Sequence, residues 1–446
     1  MAIPNPFRRH DENTRQAWGY TFQWTPEHPT REEMHPMKYS YDIVGEEALN
    51  RLDIISPPLS AELPRNQNRG PSQIGVTKPK RDLYALLKEH HAEDEKLGEL
   101  WNEVNTVPEW VDWEQISRGQ EVFYRYGGVA LTALAFQSLL GGMGAGRVTE
   151  VLARTGGFST KVARHRLYET TQHILQVTQS LDSIKPGGVG HASSIRVRLL
   201  HAAVRRRITK LAAEKPSYYS IEELGIPIND LDCIATIGTF SATLIWLGFP
   251  RQGIWIRDQE VQDYIALWRL VAYYMGTPTE PFETPAKAKR MMESLLVTEI
   301  TPTATSKVLA NNIILSLKGQ APTYASRDFL NANARWLNGN ELADALGLGR
   351  PGLYYYALVV GQCIFFFENK THGLGEETVF DFKYVPSFSL TTEEGVYEES
   401  ATKQTGIEKR NFRTLVAASA ALAVISYLGM RTTWGIVGGL RNWWGV

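Results

Sequence analysis

The sequence predicts an all-α protein, a multi-helix bundle, and three observations carry that expectation. Residues 162–177 and 195–211 repeat one face at helical spacing. Residues 127–146 form a long apolar run rich in small residues, and helix-length apolar runs follow at 226–247, 259–275, 287–317 and 353–367.

Taken in order, residues 1–82 show no sustained period and carry Ser56-Pro-Pro, Leu63-Pro-Arg and Arg69-Gly-Pro. They read as an extended N-terminal arm. Arg81 to Val104 reads as one charged amphipathic helix, in which His90 and His91 sit beside acidic residues without the spacing of a metal motif. Val107-Pro-Glu-Trp-Val-Asp-Trp113 breaks the chain. The 127–146 run is interrupted by Gln137 and Ser138, so a buried central helix is expected rather than a membrane span.

Gly156-Gly157 ends the next helix, with Ser159 or Thr160 as a cap for the one that follows. In that following helix Val162, Arg166, Thr170, His173 and Val177 share a face, mixing apolar walls with polar groups. After the turn at 183–192, Ser193 or Ser194 is expected to cap a helix in which Val197, His201, Val204, Ile208 and Leu211 form one stripe. The arginines at 198, 205, 206 and 207 fall on its other faces, which predicts a charged exterior. A histidine on such a stripe is either a satisfied core residue or a ligand, and Arg166 with Thr170 is either a buried polar set or catalytic. Spacing leaves both open.

Residues 371–412 turn polar and acidic, a linker. The run Thr414–Met430 follows basic residues and precedes Trp434, Trp443 and Trp444. About 25 Å of helix from such a run approaches a bilayer core, so 413–446 is expected to be a C-terminal membrane anchor.

At 446 residues the chain can bury a large core, and 47 basic against 48 acidic residues argue against nucleic-acid binding. Two cysteines, Cys233 and Cys363, fit a reducing compartment, and the polar first thirty residues do not read as a secretory signal. No Rossmann glycine pattern, Ser-His-Asp arrangement or paired-carboxylate motif stands out.

The segments Gly141-Gly-Met-Gly-Ala-Gly-Arg-Val-Thr-Glu150, Arg166-Leu-Tyr-Glu-Thr170 and Arg198-Leu-Leu-His201-Ala-Ala-Val-Arg205 resemble the rubber oxygenase family. That family includes latex-clearing proteins and the membrane-bound fungal oxygenase of mycophenolic acid biosynthesis. The resemblance runs from about Val107 to Gly349. It implies an all-helical haem b domain, placed at 83–370, with His201 as proximal iron ligand. It further implies that Glu150, Arg166 and Thr170 form the catalytic set, with Arg166 either holding Glu150 ionised or binding a haem propionate. Glu169 stands where latex-clearing proteins carry a distal lysine, and a carboxylate suits that position poorly, so no distal ligand is carried over and the sixth position is expected to be open or water-filled. His173, one turn on, is the next candidate there. The absence of Cys-x-x-Cys-His means noncovalent haem.

The activity implied is dioxygen-dependent oxidation of a carbon-carbon double bond in a hydrophobic, isoprenoid-like substrate. The location implied is the endoplasmic reticulum membrane, with the catalytic domain facing the cytosol. The rival reading is a non-catalytic helical protein at a membrane that binds lipid or haem.

Overall fold

The computed structural model describes residues 11–58, 81–156, 158–160, 162–320 and 324–371, with isolated positions between 413 and 427. The expected linker and C-terminal membrane helix therefore lie, apart from those positions, outside the described residues. Among the described residues the fold is helical apart from one antiparallel hairpin, Thr14–Ala17 with Tyr20–Gln23. Its turn holds Trp18 and Gly19 at positive φ, and the Trp18 indole donates to the Leu296 carbonyl at 3.1 Å, which anchors the residue that L-stereochemistry disfavours there.

The expected N-terminal arm carries more structure than its irregular period suggests. Ile43–Ile55 is a helix whose cap, Asp42, accepts from the Gly45 N–H at 3.0 Å. The single helix expected over 81–104 is two, Leu83–His90 and Glu95–Asn105. Asp94 accepts from the N–H groups of Lys96 and Leu97 and so restarts the chain in a new direction. These three helices bury Leu49, Leu52, Leu87, Leu97 and Leu100 against Ile195, Leu199 and Ala202.

That packing corrects the expectation of a charged exterior on the helix bearing His201. Arg198 is 2% exposed and Arg205 4%, because the N-terminal layer covers that face and brings carboxylates to it. The helix itself, Val189–Glu214, starts earlier than expected. The Pro186-Gly-Gly turn allows this: a Cβ at Gly188 would lie 2.2 Å from the Asp182 carbonyl oxygen, so the tight entry needs glycine. Ser193 and Ser194 are thus inside the helix and are not its caps. The preceding helix, Ala163–Thr178, has Val162 at its cap position with no side-chain cap, so neither Ser159 nor Thr160 plays that part. The two helices pack closely at Gly190, where a Cβ would meet the Gln176 carbonyl oxygen at 2.6 Å.

The 127–146 run is buried, as expected, but is not one straight α-helix. Gly127–Ala133 widens into a π-helical segment, Leu134–Gly141, and the chain then bends by 91° into Gly146–Arg154. Widening frees backbone carbonyls, and the Asn338 amide donates to that of Phe136 at 2.7 Å. Gln137 in turn donates to the Leu337 carbonyl at 3.0 Å, so the helix Arg327–Ala345 holds the irregular turn in place.

No single described helix is long and apolar enough to cross a membrane. The last one, Leu353–Thr371, nevertheless exposes Leu353, Val360, Ile364, Phe365 and Phe367, most of them on one stripe.

Candidate functional site

His201 occupies the middle of its helix with protein packed about it on all sides. Burial, reinforced by the positive charges of Arg205 and Arg166, pushes its imidazole down to about 4. Its ring is therefore neutral at physiological pH. Part of its surface is nonetheless open, as it is for Val197, Leu200 and Val204 on the same stripe. Neither ring nitrogen of His201 has a hydrogen-bond partner among the described residues.

A second residue shares that environment. Cys233, on the helix Asp230–Phe240, is likewise surrounded yet partly open, and burial raises its thiol to about 12. The charges of Arg205 and Asp42 act on both Cys233 and His201. Thr236, one turn from Cys233, is exposed on that helix.

The other residues expected in the site are arranged differently from one another. Arg166 is close enough for its charge to act on His201, and its guanidinium donates to the Glu169 carboxylate at 3.2 Å. His165 lies 3.3 Å from the same carboxylate, which is buried, so Glu169 is held within its own helix. The hydroxyl of Thr170 is exposed and donates to the Arg166 carbonyl at 3.0 Å. Glu150 lies on the helix Gly146–Arg154, where Arg154 donates to it at 2.7 Å. Burial opposes its charge, but the hydrogen bonds from Arg154 and Thr305 outweigh it and leave the pKa lowered. The cation that holds Glu150 ionised is therefore Arg154, where Arg166 was expected. An i to i+4 neighbour reaches the carboxylate without crossing between helices.

His173 is buried and neutral, with burial taking its pKa down to about 4. Its Nδ1 pairs with the Ser193 hydroxyl at 3.0 Å, and its Nε2 is buried without a partner. Ser193 precedes His201 by eight residues on one helix, an axial offset of about 12 Å. That contact keeps His173 well along the helix from His201, which counts against its serving opposite it.

The sequence reading missed Asp42, Glu46 and Glu103, which pair with the arginines flanking His201, and the opening at Cys233. The one signal for Asp42 was its place before an apolar helix start, which marks a cap but not an ion pair.

Residues 122–360 match the family described as ER-bound oxygenase mpaB/B'/Rubber oxygenase, catalytic domain. The chain is 22% identical over 283 residues to the rubber oxygenase of Streptomyces sp. (strain K30), a match covering 60% of this chain and 66% of that protein. A stretch of 33 residues, 7% of each chain, is 61% identical to aurantioclavine synthase cnsA of Penicillium expansum. In three dimensions the chain is similar to latex clearing protein LCP in its closed state, with a TM-score of 0.57 at 17% identity, covering 77% of this chain and 88% of that one.

Proposed function

Because the chain belongs to the family of ER-bound oxygenases and rubber oxygenases, whose catalytic-domain match takes in more than half of it, we propose that it is a haem b-dependent oxygenase. Its substrate would be a hydrophobic, isoprenoid-like molecule oxidised by dioxygen at a carbon-carbon double bond. One observation carries the haem assignment. His201 offers a neutral imidazole with no hydrogen-bond partner among the described residues, on a face it shares with the half-buried Val197, Leu200 and Val204. Those residues fit the group, because a neutral imidazole ligates iron and an apolar wall accommodates a macrocycle.

Bound haem b would supply the iron that activates dioxygen. His201 would hold it noncovalently on one side, and Arg166, a cation near His201, would receive a propionate. The Thr170 hydroxyl, which now donates to a backbone carbonyl, would turn to donate to dioxygen. Glu150, kept ionised by Arg154, would take a proton from the allylic carbon of the substrate. The family description and the apolar stripe of Leu353–Thr371 support association with the endoplasmic reticulum membrane.

The test is spectroscopic. Purified protein should show the Soret band of bound haem, and His201→Ala should lose it while far-ultraviolet circular dichroism is retained. An unchanged Soret band in that variant refutes the ligand assignment. Product analysis under labelled dioxygen then separates oxygenation from mere binding.

A further inference from the structure

The helix bearing His201 is gripped on both sides of that residue by carboxylates from outside the segment that matches the family. One turn before it, Arg198 donates to both oxygens of Asp42, at 2.7 and 2.6 Å, and to Glu103 at 2.9 Å. One turn after it, Arg205 donates to Glu46 at 2.9 Å and to the Ile228 carbonyl at 3.0 Å. The three carboxylates sit at 42, 46 and 103, and the family match begins at 122. Asp42 is also the cap of its own helix, through the Gly45 N–H at 3.0 Å. It therefore ties the start of one helix rigidly to the middle of another.

Two physical consequences follow. A bidentate Arg–carboxylate pair out of water fixes the rotation and height of the helix that carries the arginine, and so the direction of the His201 ring. Asp42 also lies close enough for its negative charge to act on His201, opposing the cations Arg205 and Arg166. Were His201 to hold haem iron, a negative charge near it would change the electron richness of that iron.

On this basis, and resting on His201 as haem ligand, we propose that Asp42 is a positioning residue for the oxygenase. Acting through Arg198, it aims the His201 imidazole and sets the electrostatic field at the iron. The N-terminal layer is then part of the reaction centre's support although it lies outside the family segment.

The experiment uses the full chain loaded with haem b. Haem affinity, the ferric and ferrous absorption spectra and the reduction potential are compared for the native protein, Asp42→Asn and Asp42→Glu. Glu293→Gln serves as control, because it disrupts a buried pair with His28, 2.9 Å away, on other elements. Asp42→Asn should weaken haem affinity about tenfold or more and raise the potential, since lost negative charge favours the ferrous state. Asp42→Glu should recover part of both, and Glu293→Gln should lower the melting temperature alone. Should Asp42→Asn fail to fold, the paired replacement Asp42→Leu with Arg198→Met keeps an apolar contact in place of the ion pair, and the same two readouts apply. An unmoved potential and affinity alongside a lowered melting temperature overturn the proposal. A native protein that binds no haem overturns the haem reading itself, and the two failures are distinct.

Discussion

Acidification should destabilise this protein through its two deepest histidines. His173 and His201 each fall from an ordinary 6.5 to about 4, by burial in both cases and, for His201, also by the cations around it. In the unfolded chain both rings take up protons near pH 6.5, whereas in the folded chain they resist until about 4. The folded state therefore carries no penalty above pH 6.5 and loses stability as pH falls through that window, because the unfolded state binds more protons there. At 1.36 kcal/mol per unit, each ring costs about 3 kcal/mol once the window is crossed. Between pH 7 and pH 5 the two together remove about 4 kcal/mol. Asp232 acts in the opposite sense: burial, with Glu299 nearby, raises it to about 6 against the pull of Arg147, so its folded form gains protons in the same range.

A difference measurement isolates the histidines from that opposing trend. Haem-free protein, followed by tryptophan fluorescence in urea, should lose about 4 kcal/mol more between pH 7 and pH 5 than the variant His173→Gln with His201→Gln. Equal losses in the two proteins would mean that neither ring is held neutral by the fold, and the site assignment would lose its electrostatic basis.

Three further outcomes test the site from other directions. Glu150→Gln should retain haem while lowering kcat by about a hundredfold or more, and Arg154→Gln should move the acid limb of the kcat/KM profile to higher pH because the hydrogen bond that lowers the Glu150 pKa is gone. Gly190→Val should cost about 1–3 kcal/mol in thermal stability by forcing apart the helices that meet at the Gln176 carbonyl, and haem retention should weaken with it.

The helices around the site were legible because their periods are long and regular, but the stripe that carries His201 is only half-buried at Val197, His201, Val204 and Leu211, and the buried face of that helix runs instead through Ile195, Arg198, Ala202 and Arg205. The helix starts were less legible. Serines at 193 and 194 look like caps in a string of letters, but the tight glycine turn before them admits a helix five or six residues sooner. The arginines of that helix misled for a related reason. Guanidinium groups opposite an apolar stripe ordinarily meet water, and only distant carboxylates at 42, 46 and 103 show that they meet protein. Long-range pairing of this kind leaves no local trace. Glu150 and Arg154 stand one turn apart and needed only the rule for neighbouring charges on a helix.

The packing of the N-terminal helices against Ile195, Leu199 and Ala202 bears on where this chain can be divided. A fragment trimmed to the recognisable catalytic segment would lay those side chains bare and leave Arg198 and Arg205 without their counter-charges. The boundary seen by sequence comparison is thus not a seam along which the molecule comes apart. Trading catalytic segments among relatives would transplant a histidine without the scaffold that aims it.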